Sequence, residues 1–215
     1  MTTQQIFDYF QIPPGLQQHM YTVAGVGKYI CDHWVGEPIK THETVAALLI
    51  HDLGNLIKFD LSPGATIYDP VLNSEEWHFI QRKMVEKYGP DAHLATYKMA
   101  QEVTANQLIL ELINSMDATN LTATLNKSWE EKICEYADLR VTPIGITSLN
   151  DRLDDIHQRY QQHRGAWADE KLLATNKQAG KEIENQLQQH ISQDILTIPT
   201  KKIATYLVEL AGYQI

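Results

Sequence analysis

Apolar and small residues recur along this chain at spacings of three and four, and no segment sustains the period-two alternation of a half-buried strand. That periodicity predicts helices. After Pro13-Pro14-Gly15, the first long helix runs from Leu16 to about Trp34, with Met20, Val23, Ala24, Gly27 and Ile30 on one face. Thr41 is the expected N-cap of the next helix, Thr44 through Ile50 read as buried on most sides, and Gly54 is its expected left-handed end. Residues 55–72, with Pro63-Gly64 and Asp69-Pro70, read as a loop. Ser74 caps a helix that stops near Gly89-Pro90, and Asp91 caps another. Further helices are expected at 105–116, 128–141, 148–164, 168–193 and 199–212. The fold class is all-α.

A boundary is expected near Thr142-Pro143-Ile144-Gly145, dividing a helical domain over 1–145 from a C-terminal helical extension over 146–215. Residues 150–194 are rich in Gln, Asp, Glu and Lys, and Ile183, Leu187 and Ile191 form a narrow apolar stripe there. The stripe reads as a helix packed along one edge, with a partner-binding seam as the alternative. With 43% apolar residues in 215, the chain is long enough to bury a core without disulfides. A net charge of −9 speaks against unspecific binding to nucleic acid or to an anionic membrane. It leaves a small anionic substrate open, because one metal ion inverts the local field. The longest aliphatic run, Val45 to Ile50, is far too short to cross a bilayer. Met1-Thr2-Thr3-Gln4-Gln5 has no basic stretch leading into an apolar one, so no secretory leader is expected. Cys31 and Cys134 are the two cysteines, and two lone thiols fit a reducing cytoplasm.

The informative segment is Ala46-Ala47-Leu48-Leu49-Ile50-His51-Asp52-Leu53-Gly54. A His-Asp pair at the end of an otherwise apolar helix is costly unless the carboxylate is paired or holds a metal. Asp138, between Ala137 and Leu139, repeats the pattern beside the Ile133–Ala137 face. Glu130, Glu131 and Glu135 of the same helix read as a solvated face. Arg140 reads as one half of a structural ion pair. His19, followed at helical spacing by Val23 and Ala24, is a third candidate pointing inward. The plainer alternative is a hydrogen-bonded core pair of His51 and Asp52, with Asp138 capping something nearby.

An inward His on an early helix, a His-Asp pair after Ala-Leu-Leu-Ile, and an Asp in Tyr136-Ala137-Asp138 together resemble the HD-domain metal-dependent phosphohydrolase superfamily. The matching positions are His19, His51, Asp52 and Asp138, in that family's order, and the resemblance covers about residues 16–142. It implies an HD-domain-like helical bundle in which these four side chains surround one divalent cation, with Asp52 also in the catalytic machinery. Two imidazoles and two carboxylates suit Mn²⁺, Fe²⁺, Co²⁺, Ni²⁺, Zn²⁺ or Mg²⁺. Such an ion acidifies water and draws charge from a phosphoryl oxygen, the requirements of phosphate-ester hydrolysis. The implied substrate is a small phosphorylated molecule, a nucleotide being the commonest type in the family.

The chain departs from the family in several places. Relatives with two metals use additional histidines; His93 resembles one such position, but Glu111 to Asp117 contains none, so one ion per chain is expected. His93 is then a candidate to bind phosphate or to protonate the leaving oxygen. Asn55 stands where many relatives carry Lys or Glu, and Lys58, one turn on, is the nearest replacement for contacting phosphate. His78 and Arg82, four apart, read as a surface pair, and Tyr21, Trp77 and Tyr97 as core rather than a stacking platform. His33, His42, His157, His163 and His190 lie in polar surroundings and are expected at the surface. The alternative function is a binding or regulatory module with the HD-like bundle and no hydrolysis. Oxidative chemistry at a di-iron centre needs more ligands than the sequence offers.

Overall fold

In the computed structural model, which describes residues 1–62, 72–161 and 165–215, the chain is an all-α bundle. Its first helix, α1 (Thr3–Phe10), is one the apolar periodicity does not flag. Thr2 and Gln5 form a capping box there, and Ile6, Phe7 and Phe10 are buried. The central pair is α2 (Pro14–Asp32) and α3 (Thr41–Ile50). Every residue of α3 from Thr44 to Ile50 is buried, as its unbroken apolar run requires. Val45, Leu48, Leu49 and Ile50 each contribute on the order of 1.5–3 kcal/mol when taken fully out of water. The two helices approach closely because Gly27 leaves room for the Leu48 side chain.

Two details of α3 differ from the expectation. Thr41 is the first helical residue and Lys40 occupies the cap, without a capping side chain. Gly54 is not left-handed, with φ −84° and ψ −2°. Its glycine is needed for space: a Cβ there would stand 2.5 Å from the Ala92 carbonyl oxygen and 2.7 Å from the Thr96 nitrogen. The Gly54 N–H donates to Thr96 Oγ1 (2.9 Å), so the turn after α3 is pinned to the helix that starts at Ala92.

A 3₁₀ turn, Asn55–Lys58, follows, so the start of the expected loop is ordered; Pro63-Gly64 and Asp69-Pro70 lie outside the described residues. Next come α4 (Glu75–Tyr88), α5 (Ala92–Val103) and α6 (Gln107–Ser115). Ser74 and Asp91 cap α4 and α5 as the sequence predicts. The short α7 (Leu121–Thr124), capped by Asn120, was not expected. Then α8 (Trp129–Asp138), with a Ser128–Glu131 capping box, packs on α2 and α3 and carries Asp138 as its last residue.

The expected 128–141 helix stops three residues early, and a two-stranded antiparallel ribbon follows. Its strands are β1 (Val141–Thr142) and β2 (Gly145–Ile146), with Gly145 at φ 133°. This ribbon occupies the expected boundary. Beyond it stand α9 (Leu149–Tyr160), α10 (Glu170–Gln188) and α11 (Thr200–Ala211). The stripe of Ile183, Leu187 and Ile191 is buried, with α10 against α7, α8 and α9.

Arg140 makes no carboxylate ion pair among the described residues. It is buried and donates to the carbonyls of Thr147 (2.6 Å), Ile195 (2.7 Å) and Leu196 (3.1 Å) and to the Tyr136 hydroxyl. It therefore ties the end of α8 to the segment leading into α11. Gly25 lets Ile203 of α11 seat directly on α2. The chain ends meet as well: Thr3 N–H donates to the Tyr213 carbonyl (2.9 Å) and Ile215 N–H to that of Met1 (3.1 Å). Cys31 and Cys134 are buried free thiols. No helix among the described residues is long and apolar enough to cross a membrane.

The Gly54 contact generates a test. Gly54→Ala forces the turn away from α5 and is expected to cost about 1–3 kcal/mol, read as a thermal midpoint several degrees lower. An unchanged midpoint would mean that the turn and α5 separate without penalty.

Candidate metal centre

Three helices deliver the candidate ligands to one place. His19 sits in the second turn of α2, His51 caps the C-terminus of α3 with Asp52 next in the turn, and Asp138 ends α8. His19 Nε2 lies 3.6 Å from Asp52 Oδ2 and 3.4 Å from Asp138 Oδ1. His51 Nε2 lies 3.7 Å and 3.5 Å from the same two atoms. Ligand atoms of His19, His51 and Asp138 all fall within 4.8 Å of one another, a group that can hold a metal ion. Asp52 borders this set through its two imidazole contacts.

These separations are long for charge-assisted hydrogen bonds, which run at about 2.7–2.9 Å. His51 Nε2 and Asp138 Oδ1 are buried and have no hydrogen-bond partner among the described residues. Leaving such groups unsatisfied is expensive. Ligands held about 2.1 Å from an ion in tetrahedral geometry stand roughly 3.4 Å apart, close to the spacing observed. The residues present therefore fit a divalent cation in both donor chemistry and spacing.

The protonation of the pocket follows from its contacts. His51 Nδ1 lies 2.7 Å from the Leu48 carbonyl oxygen, which can only accept, so Nδ1 carries the hydrogen and Nε2 is the atom offered to the centre. Burial alone would lower the His51 pKa, but the charges of Asp52 and Asp138 outweigh it and raise it to about 9. Burial pushes Asp138 up, yet His19 and His51 hold it well below the usual carboxylate range. Without metal, a proton on His51 thus stands in for the cation. The imidazoles are closed off (side chains 2% and 3% exposed), whereas Asp52 and Asp138 are 18% and 25% exposed, so solvent reaches the cluster from its carboxylate side.

Asn55 is buried in the 3₁₀ turn, with its N–H donating to the Asp52 carbonyl (2.9 Å). Lys58, at the end of the same turn, and His93, in the first turn of α5, are exposed. Tyr21 is core, edge-on to Phe7, while Trp77 and Tyr97 are partly buried against the core. Arg82 is exposed and His78 half-buried. Of the histidines expected at the surface, His42 is exposed. His33 and His157 are half-buried, their Nδ1 atoms 2.8 and 2.7 Å from the carbonyls of Tyr29 and Trp167. His190 is half-buried between Trp34 and Trp129, and His163 lies outside the described residues.

Glu135 corrects the reading of α8 as having a solvated acidic face. It is 2% exposed and accepts the Asp117 N–H at 2.8 Å. It precedes Asp138 by three residues and so shares its face, a spacing that could have marked it. Burial raises its pKa to about 8, with the backbone bond opposing and the Asp138 charge adding. In comparisons with known proteins, no protein-family model, no curated protein and no solved structure matches the chain.

Both raised groups give the same sign of pH dependence. A folded-state pKa above the unfolded one contributes stability that is lost as pH rises through the folded value, for Glu135 between about 4.5 and 8 and for His51 between about 6.5 and 9. Metal-free protein is expected to melt at lower temperature at pH 9 than at pH 5. Glu135→Gln, whose amide oxygen keeps the Asp117 contact, should raise the pH 9 midpoint by roughly 5 °C and barely move it at pH 5. Equal effects at both pH values would contradict a buried, proton-binding carboxyl.

Proposed function

We propose that the chain is a metal-dependent phosphohydrolase of the HD-domain type, cleaving a phosphate ester of a small molecule, a nucleotide in the first instance. One observation carries the reading. His19, His51, Asp52 and Asp138 occur in that family's order and converge on a point where buried His51 Nε2 and Asp138 Oδ1 have no hydrogen-bond partner among the described residues. His19, His51 and Asp138 hold the ion, with Asp52 as the fourth ligand.

A divalent ion bound there supplies a Lewis acid that acidifies water and withdraws charge from a phosphoryl oxygen. The chain's residues do the rest. The Leu48 carbonyl fixes the His51 ring so that Nε2 faces the centre, and that ring, 3% exposed, closes its own side of the site to water. Asp52 Oδ2, within 3.7 Å of both imidazoles, is the oxygen that would face the ion, and the other oxygen of this part-exposed carboxylate would take the proton of the attacking water. The Asn55 N–H bond to the Asp52 carbonyl and the Gly54–Thr96 bond hold that carboxylate in position. The substrate is a small phosphorylated molecule in the cytoplasm.

A second reading, an HD-like module without hydrolysis, draws on the lack of histidine from Glu111 to Asp117 and on Asn55 in place of a charged residue. Activity separates the two. Protein stripped of metal and reloaded with Mn²⁺, Co²⁺ or Ni²⁺ is expected to release phosphate from an aryl phosphate or from nucleoside monophosphates. Asp52→Ala and His51→Ala should each lower that rate by about 10²-fold or more, His51→Ala with loss of bound metal. Bound metal without phosphate release from any of these esters would favour the non-catalytic module. Unchanged turnover in both variants would refute the site.

A further inference from the structure

His19 has a second neighbourhood. It also borders a cavity of about 240 Å³ between α2, the β1–β2 ribbon and α11. The walls include Thr22, Thr142, Ile146, Ile203 and Leu207, with Ala204 exposed at the mouth. Among the described residues no Lys, Arg, Asp or Glu lines it; apart from His19, its polar side chains are threonines and Gln18.

That lining sets the chemistry of an occupant. A phosphate needs cationic or N–H donors, and this cavity offers no cation besides the imidazole it shares with the cluster. An uncharged, largely apolar group loses nothing on entering, and the hydroxyls can orient it. The ribbon wall begins three residues after Asp138, so one short segment supplies both a cluster carboxylate and the groove. Ile144 at the ribbon tip is 94% exposed, so the ribbon edge of the groove presents an apolar side chain to water. The volume is just under the roughly 300 Å³ at which ligand pockets begin, room for one or two rings rather than an extended chain.

We propose that this groove seats the uncharged organic part of the ester whose phosphate engages the His19–His51–Asp138 cluster. The proposal rests on the hydrolase reading for the second half of that statement, and its test separates the two. The groove is probed with 1-naphthol, a neutral two-ring alcohol, and with inorganic phosphate, by following methyl resonances in full-length protein.

Naphthol is expected to shift the methyls of Ile146, Ile203 and Leu207 saturably, and phosphate to leave them in place. Ala204→Trp, at an exposed position where the fold tolerates bulk, should weaken naphthol binding by about tenfold and raise KM for 1-naphthyl phosphate by a similar factor. Unmoved methyls in the natural protein, or equal naphthol affinity in Ala204→Trp, would overturn the groove. Naphthol binding without phosphate release from any ester would support the groove and sink hydrolysis. Phosphate release without naphthol binding would do the reverse.

Discussion

Two imidazoles and two carboxylates face one another at 3.4–3.7 Å in the middle of a bundle whose surroundings are Leu, Ile, Val and Ala. At that spacing they repel or pay for desolvation unless a positive charge sits among them. A proton on His51 meets part of the need, which is why its pKa rises to about 9 despite full burial. A divalent cation meets all of it. The same electrostatic demand accounts for the depressed Asp138, while Glu135, a turn away, is pushed up by burial and by the Asp138 charge against the opposing pull of the Asp117 N–H and Lys127.

The rest of the fold serves to hold this arrangement. The apolar run Val45 to Ile50 sets α3 at the centre, and the end of that helix places His51 and Asp52. Gly27 brings α2 close enough for His19 to reach them, and α8 packs across both helices to add Asp138. Gly54 and Thr96 lock the turn between, while Arg140 fastens the end of α8 to the segment before α11. The last helix, α11, is thereby drawn against α2 beside His19. The groove follows from that packing rather than from any motif.

What was legible in the sequence was whatever imposes a period or a cost. The run from Val45 to Ile50 announced a buried helix, and the His-Asp pair at its end announced an expense that needed an explanation. Ser74 and Asp91 were readable because a cap is a local event. Gly54 was misread because a left-handed cap and a close approach both call for glycine, and only the position of Ala92 and Thr96 tells them apart. Glu135 was misread because acids on a helix are usually solvated; its burial depends on a single distant N–H, from Asp117. Lys58 and His93 followed from the family resemblance alone, and their exposure reflects tertiary placement that spacing does not encode. The Arg140 clamp, joining residues 55 apart, was beyond any local pattern.

The most direct test is crystallographic. Crystals grown with Mn²⁺ or Co²⁺ and measured at the absorption edge of that metal should show one anomalous peak within about 2.0–2.3 Å of His19 Nε2, His51 Nε2 and a carboxylate oxygen of Asp138. A map without a peak there, with the four side chains still gathered around the same point, would contradict the account.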